Sequence, residues 1–509
     1  SNGEISKQVK VRVHVYGNTI QEVDERAQEL IENLKGMDYR AVTYLHKTKR
    51  DWQSMFTMFD EQAEWFGNIK GQSLPSLNIG GGFPFHHQTL KDPGGTQYGE
   101  TMTGGPFVWN ATYKNSVRLS TNTLLLGMMG AGKSTVLKMI AEAHLAAGDF
   151  IWGFEKGKDF IPFLKEYNGI MVRLDGSDGM INPLEIFATR TYDEASSLYD
   201  DGSVKDLKIN EAASYQTHLD KVVYQVQLVS PQLKGTMKAE FKTYLNRFYE
   251  ETQVTGKDPE AYPTFKEFLD FLGQLELPGA SQEKKNRKEE MESIVESLCE
   301  TYGMIFDGHS TIRHLDQQQL VFFDIDSITG LDRGVQQCQM YMAMTLIWNQ
   351  ALIQGRRQRR LIKEKQMEEQ DFKCFLAMID ECHNAINPDF IETVNYVTNF
   401  QREMRKVEAM TVLATQSPQE MVPENMSSDN FSKLKKVFEF SSTKIFMRMD
   451  ESILRHIEGL VGKSMTNSEL ESIPQQNQGD AVINFGSKET IRVHFSPNKR
   501  QLKLFDGGK

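Results

Sequence analysis

Gly127, Gly132, Lys133 and Ser134 match the spacing GxxxxGK followed by Ser or Thr, within the stretch TNTLLLGMMGAGKSTVLKM. Glycines let backbone N–H groups surround phosphate oxygens, and the start of a helix adds the positive end of its dipole. The pattern therefore predicts a nucleotide site with Mg²⁺, in which Lys133 contacts the β and γ phosphates and Ser134 joins the metal shell; together with the strand ends described below it predicts ATP. A glycine-rich turn without a ligand is the alternative. The residues predicted to bind the nucleotide are Gly127, Gly130, Gly132, Lys133, Ser134 and Thr135.

A second apolar stretch ends in two carboxylates. The residues CFLAMIDE predict a strand that ends in Asp380 and Glu381. Because the carboxyl ends of parallel strands meet at the ligand-binding edge of a sheet, both side chains are expected beside the nucleotide. Asp380 is predicted to hold Mg²⁺, and Glu381 to polarise the attacking water as a general base. Any buried strand can end in acidic residues where it meets solvent, so this prediction depends on the glycine-rich loop upstream.

A third apolar strand, in TVLATQSP, ends at Gln416. A glutamine at that edge can sense the γ phosphate or orient water, and a turn residue before Pro418 is the alternative. Just upstream, QREMRK contains Arg402 and Arg405. Both are candidates for an arginine that reaches the γ phosphate of another subunit, if the protein forms a ring; a solvated helix face is the alternative.

Strands that alternate with helices from about residue 107 predict an α/β domain with a parallel sheet. The helix GKSTVLKMIAEAHLAAG is expected to end at Gly148, because glycine favours the left-handed backbone of a helix end. Beyond the loop and its helix, the predicted strands are DFIWGF, QLVFFDID (319–326), FKCFLAMID (372–380), AMTVLATQ (409–416), KIFMRM (444–449) and GDAVINF (479–485).

The remaining segments suggest further domains. Alternating valines at 9–15 predict a strand, Thr19–Leu34 a helix and YRAVTYL another strand, which together form a partial α+β domain. The Gly- and Pro-rich residues 78–106 are expected to form turns and hairpins. The predicted domains are 1–75, the partial N-terminal domain; 76–190, the first part of the ATPase domain; 191–315, an all-helical insertion; and 316–509, the second part of the ATPase domain.

Composition narrows the possible functions. The chain has 509 residues, a net charge of -11 and 4 cysteines with no CxxC pair. The charge argues against bulk coating of nucleic acid, and the cysteines argue against a disulfide framework and favour the cytoplasm. The basic stretch GRRQRRLIKEK, 355–365, leaves a local contact with DNA or acidic lipid open beside the alternative of a solvated helix end.

Four segments, in this order, carry a resemblance to a known family: LLLGMMGAGKSTVLK, MINPLEIF, FLAMIDECH and LATQSPQE. They resemble the conjugative type IV secretion ATPases of the VirB/TraC/TrbE class and, more broadly, the HerA and FtsK group of P-loop motors. The resemblance covers about residues 100 to 500 and is weaker in the N-terminal piece, which looks like the end of a longer domain. We expect an N-terminal portion of that domain to lie outside this sequence.

The resemblance implies a RecA-like ATPase domain with a helical insertion, assembled as hexamers or dimers at the inner face of a membrane channel with other channel subunits. Carried over by motif, Lys133, Ser134, Asp380, Glu381 and Gln416 keep the roles above, and Arg405 matches the family's arginine ahead of the glutamine strand. Glu155 stands where the family usually has an acid in a DPE run. A DNA-translocating motor of the same superfamily and a binding scaffold with negligible turnover are the alternatives.

Overall fold

The computed structural model shows two units, residues 1–86 and 87–509. The boundary lies later than the one expected after residue 75. The residues that the structure describes are 6–36, 39–43, 48–66, 71–81, 87–187, 211–252, 254, 258–312, 315–421, 427–454, 465–486 and 489–505.

The first unit combines a two-stranded antiparallel sheet with helices. Its strands are β1 (Ser6–Val9) and β2 (Gln72–Pro75), and its helices are α1 (Ile20–Gly36), α2 (Thr48–Ser54), α3 (Phe59–Phe66) and α4 (Ser76–Gly81). The helix predicted at Thr19–Leu34 is present as α1.

The two strands predicted in this unit differ from the structure. The first is wrong over most of its length, because β1 ends at Val9, where it pairs with Gln72, the first residue of β2. An alternating pattern becomes a strand only where a partner strand supplies hydrogen bonds. Of the second, residues 39–43 form no strand, and 44–45 lie outside the described residues.

The second unit is built on a 12-stranded sheet with the order β3-β5-β4-β14-β13-β12-β6-β11-β10-β7-β9-β8. In chain order these strands are β3 (Leu90–Lys91), β4 (Thr96–Thr101), β5 (Pro106–Trp109), β6 (Thr123–Leu126), β7 (Phe150–Glu155), β8 (Ile170–Arg173), β9 (Leu320–Asp324), β10 (Phe375–Ile379), β11 (Ala409–Thr415), β12 (Thr443–Met447), β13 (Asp480–Phe485) and β14 (Glu489–Phe495).

From β12 to β8 the neighbouring strands are all parallel, as the sequence predicted. The other end of the sheet, where β13, β14 and β4 pair antiparallel, was not predicted, and neither were β8 and β14. Every residue of β6, β10 and β11 is buried, which is typical of parallel strands covered on both faces. The carboxyl ends of β6, β7, β9, β10, β11 and β12 therefore meet at one edge.

Helices cover both faces of this sheet and form two cores. The helices are α5 (Lys133–Ala147), α6 (Ile161–Glu166), α7 (Glu211–Val229), α8 (Gly235–Thr252), α9 (Phe265–Gln274), α10 (Gln282–Thr301), α11 (Gly303–Phe306), α12 (Arg333–Lys363), α13 (Ile391–Glu403), α14 (Pro418–Met421), α15 (Ser428–Phe440), α16 (Asn467–Ser472) and α17 (Lys499–Phe505).

One core packs α5 and α6 on the sheet, and the other packs α7, α12, α13 and α15 on the opposite face. Helices α7 to α11 lie between β8 and β9, and Val222 and Phe268 belong to the same core as Trp152 of β7. The inserted helices thus share the core of the sheet. None of the described helices has the length and the apolar run that crossing a membrane requires.

Candidate functional site

The glycine-rich loop follows β6 and is fixed to the ends of the two strands that flank β6 in the sheet. The Gly127 N–H donates to the Thr415 carbonyl of β11 over 3.3 Å, and the Met128 N–H donates to the Arg448 carbonyl just after β12 over 2.8 Å. On the other side, the Gly479 N–H donates to the Ala131 carbonyl over 3.1 Å. The loop therefore keeps its shape through backbone bonds to three other segments of the chain.

The glycines of the loop are needed for different physical reasons. Gly130 and Gly132 have φ angles of 80° and 108°, a region that residues with a side chain rarely adopt. A Cβ at Gly127 would lie only 2.9 Å from Met447 Cβ, so the close packing of β12 excludes any larger residue there. A Cβ at Gly130 would meet no atom within 4 Å, so space lies beside the loop at the start of α5. This open cradle fits a phosphate chain.

Lys133 folds back across the loop. Its side chain is buried, and its Nζ donates to the Met128 carbonyl over 3.2 Å. Burial lowers the pKa of Lys133, while the negative charges of Glu381 and Asp380 act in the opposite direction. The structure thus places the lysine of the loop close to both carboxylates predicted at the end of β10.

Asp380 is the buried member of the carboxylate pair. It directly follows β10, its N–H donates to the Phe154 carbonyl of β7 over 3.2 Å, and its Oδ1 accepts the Glu381 N–H over 3.0 Å. Burial and the neighbouring charge of Glu381 raise the pKa of Asp380 to about 6. A bound cation would favour the ionised form of this carboxylate.

Glu381 has a left-handed backbone, with a φ of 49°. Its Oε2 accepts the Gln416 N–H over 3.3 Å and lies 3.3 Å from His383 Nδ1. Burial acts to raise the pKa of Glu381, but the contacts with His383 and the Gln416 N–H, together with the charge of Lys133, bring it below its ordinary value. The carboxylate is therefore ionised at neutral pH, as a general base must be.

Gln416 reaches this site through its backbone, since its N–H binds Glu381, and its side chain is half-buried. Ser134 and Thr135 lie in the first turn of α5, where both are partly exposed beside the open cradle. The structure thus brings together the predicted residues of the loop, the acidic strand end and the glutamine.

Arg405 is not part of this cluster within one chain. It is exposed and lies in a short 3₁₀ helix (Met404–Val407) just before β11, so it sits at the amino edge of the sheet. Strand β11 separates it from the loop by roughly 20 Å, at about 3.3 Å per residue. Arg402, on α13, is paired with Glu403 over 3.3 Å. Neither arginine can contact a nucleotide in its own subunit's loop.

Glu155 lies at the carboxyl end of β7 and is fully buried. Its Oε1 accepts the Asp159 N–H over 2.7 Å, whereas its Oε2 has no hydrogen-bond partner among the described residues. Burial raises the pKa of Glu155 to about 7, with further contributions from the charges of Asp324 and Asp380. The sequence singled out Glu155, but the structure adds Asp324, which is its partner in the register of β7 and β9.

Sequence reasoning gave no role to His383, and it predicted the strand GDAVINF (479–485) without placing Gly479 beside the loop. The signal for His383 was its place two residues after Glu381. The only signal for Gly479 was the glycine itself, because its approach to the loop depends on the antiparallel strands β13 and β14.

The donor set fits a magnesium nucleotide. The Ser134 hydroxyl and the Asp380 carboxylate are oxygen ligands, and Mg²⁺ is usually held by one or two protein groups together with phosphates and water. The described residues contain no group of three or more His, Cys, Asp or Glu side chains able to hold a metal by themselves. The fit therefore rests on Ser134, Asp380 and the phosphate cradle.

Comparison with known proteins finds one protein with a similar sequence and several solved structures with a similar fold. No family model matches the chain. The "Uncharacterized protein pXO2-09" of Bacillus anthracis is 37% identical over 527 residues, which cover 100% of this chain and 80% of the relative.

Among solved structures, VirB4 of Thermoanaerobacter pseudethanolicus superposes with a TM-score of 0.65 at 15% identity, covering 82% of this chain and 100% of that one. The bacterial conjugative coupling protein TrwBdeltaN70 superposes with a TM-score of 0.46 at 12% identity, covering 79% of this chain and 89% of that one. The chain thus has an α/β fold similar to that of VirB4.

Proposed function

The chain belongs to the same family as protein pXO2-09 of Bacillus anthracis, and we propose that it is a Mg²⁺-dependent ATP hydrolase that powers a conjugative type IV secretion channel. One observation supports the proposal that the chain hydrolyses ATP. Lys133, Glu381 and the Gln416 N–H come from the ends of three parallel strands and meet at one edge of the sheet. A binding scaffold has no need of an ionised carboxylate held in a strained backbone beside the loop lysine.

The residues divide the reaction between them. The loop N–H groups and Lys133 hold the phosphates in line, and Glu381 accepts a proton from the water that attacks the γ phosphorus. The bond from that phosphorus to the oxygen of ADP breaks as the new P–O bond forms. Gln416 orients the water or the γ phosphate. Mg²⁺, held by Ser134 and Asp380, would neutralise developing charge on the phosphate oxygens.

The proposed role in a secretion channel is supported by the fold and by the order of the four sequence segments. The superposition covers the whole VirB4 chain, and the four segments named above follow the order found in secretion ATPases of the VirB class. The proposed partners are the other channel subunits, and the proposed location is the cytoplasm, peripheral to the inner face of the cell membrane.

We propose that the chain works as an oligomer, a hexamer or a dimer, and the position of Arg405 supports this proposal. Because this exposed arginine lies at the sheet edge opposite the loop, we propose that it serves the nucleotide of a neighbouring subunit. The basic stretch 355–365 begins in the C-terminal part of α12 and ends just beyond it, because α12 stops at Lys363, and it offers a place for a DNA contact.

The test is the ATPase rate of the full chain against protein concentration, with and without DNA and with and without channel components. We expect the rate per subunit to rise with concentration, to vanish when Mg²⁺ is chelated, and to respond to channel components more than to DNA. Absence of hydrolysis under all these conditions would overturn the proposal. Stimulation by DNA alone would instead favour a DNA motor.

A further inference from the structure

His383 joins the proposed base to the neighbouring strand. It lies in a short 3₁₀ helix (Cys382–Asn384) that begins directly after Glu381, and only 9% of its surface is exposed. Its Nδ1 is 2.9 Å from Thr415 Oγ1 and 3.3 Å from Glu381 Oε2, while its Nε2 is 3.8 Å from Glu420 Oε2. One ring nitrogen thus faces both the carboxylate and the end of β11.

The surroundings of Nδ1 indicate where the ring proton lies. The Glu381 carboxylate accepts hydrogen bonds but cannot donate one when it is ionised. A lone pair on Nδ1 would therefore face a negative charge, whereas an N–H at Nδ1 would bind it. Thr415 Oγ1 already accepts the Ser417 N–H over 3.0 Å and has a second lone pair for the ring. The geometry favours Nδ1–H as a donor shared between Glu381 and Thr415.

The short helix does not need the imidazole in order to form. The Asn384 N–H and its Nδ2 both donate to the Glu381 carbonyl, over 3.0 Å and 2.8 Å. The Ile386 N–H donates to the Cys382 carbonyl over 2.7 Å, and Gln337 Nε2 donates to the Asn384 carbonyl over 2.7 Å. Because these bonds hold the turn, the contact from His383 to Glu381 is an addition to the local fold.

We propose that His383 is a positioning residue that holds the Glu381 carboxylate against the end of β11 through its Nδ1–H. This inference rests on the proposed ATP hydrolysis. The Glu381 side chain leaves a strained backbone and has two anchors on the same oxygen, the Gln416 N–H and His383 Nδ1. Without the imidazole, the carboxylate can rotate away from the water while the phosphate cradle stays intact. Hydrolysis should therefore depend on His383, and nucleotide binding should not.

Two amide substitutions separate this role from a packing role. In His383→Asn the amide nitrogen takes about the place of Nδ1, whereas in His383→Gln it takes about the place of Nε2, on the side of Glu420. We expect His383→Asn to keep kcat within about threefold of the wild-type value. His383→Gln and His383→Ala should lower kcat about 10- to 100-fold, the loss that is typical when a group that orients a metal ligand is removed. KM and the dissociation constant of a fluorescent ATP analogue should change little in all three variants.

A double-mutant cycle tests whether His383 acts through Glu381. In the Glu381→Gln background, His383→Gln should cause little further loss of kcat, because the group that it positions is already gone. Thr415→Val supplies a second, independent change, since it removes the oxygen on the other side of Nδ1. We expect it to lower kcat with unchanged nucleotide affinity.

Equal kcat in the wild type and all three His383 variants would overturn the positioning role alone. Equal loss in His383→Asn and His383→Gln, with nucleotide binding retained, would overturn the role of Nδ1–H. A wild-type chain that binds ATP without hydrolysing it would overturn the proposed function and this inference with it. Thermal melting identifies any variant that has lost its fold, and if the His383 variants have lost theirs, Thr415→Val decides: an unchanged kcat would then overturn the positioning role.

Discussion

The Gln416 N–H donates a hydrogen bond to Glu381 Oε2, with 3.3 Å between the two heavy atoms. This bond joins the end of β11 to the carboxylate that follows β10. In the same segment, the Thr415 carbonyl accepts the Gly127 N–H of the phosphate loop. The end of β11 thus contacts both the phosphate cradle and the proposed base. A movement of this strand end when the γ phosphate leaves would displace the base as well.

Replacing Glu381 by Gln should stop hydrolysis and spare binding. The substitution keeps the shape of the side chain but removes its ability to accept a proton, so kcat should fall about 10²- to 10⁴-fold. The measurement is steady-state hydrolysis combined with equilibrium binding of a fluorescent ATP analogue. A variant that no longer binds the analogue would contradict the role of Glu381 as a base and indicate a role in holding the nucleotide.

Replacing Lys133 by Ala should abolish both binding and hydrolysis. The change removes the loop side chain that carries positive charge toward the phosphates. It also takes away the charge of Lys133 that acts on Asp380 and Glu381, so their repulsion of a polyanion increases. Binding of the analogue measures the effect. Lys165→Ala is the matched control, because it removes an equal charge from an exposed position of α6. Normal hydrolysis by Lys133→Ala would refute the assignment of the loop.

The local parts of this site could be predicted from the sequence. The loop lies between an apolar run and a helix, and each carboxylate follows an apolar strand, so a short window contains the whole signal. The pairing of Glu155 with Asp324 could not be predicted, because it depends on β7 and β9 being neighbours across the inserted helices. The parallel part of the sheet could also be predicted, because its strands are continuous apolar runs.

A Cβ at Gly132 should distort the loop. Gly132 has a φ of 108°, and an added Cβ would lie 3.3 Å from Met447 Cε and 3.5 Å from the Gly479 nitrogen. The backbone strain of Gly132→Ala should cost about 1–2 kcal/mol and shift the N–H groups that face the phosphates. We expect weaker binding of the ATP analogue. Gly330→Ala is the matched control, since a Cβ there meets nothing within 4 Å. Equal effects of the two variants would contradict the prediction.

The stability of the chain should depend on pH through Glu155. The pKa of Glu155 is raised to about 7 in the folded state by burial, so the folded state holds a proton that the unfolded state releases above its ordinary pKa. The contribution of Glu155 to stability is therefore fully present below the ordinary pKa of a glutamate and is lost as the pH rises to about 7. Glu155→Gln cannot ionise and should be more stable than the wild type at about pH 8, by an amount on the order of 1 kcal/mol, and not at about pH 5.

Thermal melting at the two pH values, without nucleotide or Mg²⁺, measures this difference. Glu166→Gln is the control, since it removes a carboxylate at an exposed position of α6. A difference between Glu155→Gln and the wild type that is the same at both pH values would show that ionisation of Glu155 does not limit stability.

Mixing two inactive variants should restore hydrolysis if Arg405 acts on a neighbouring subunit. Arg405→Ala keeps its own loop and base, and Lys133→Ala keeps Arg405. A mixed oligomer therefore contains interfaces at which an intact loop meets an intact arginine. We expect each variant alone to be inactive and the mixture to recover part of the wild-type rate after subunit exchange. Mixing Lys133→Ala with Glu381→Gln is the control, because both residues serve the same subunit's site and no intact site can form. Activity of Arg405→Ala alone, or no recovery in the first mixture, would refute a role for Arg405 between subunits.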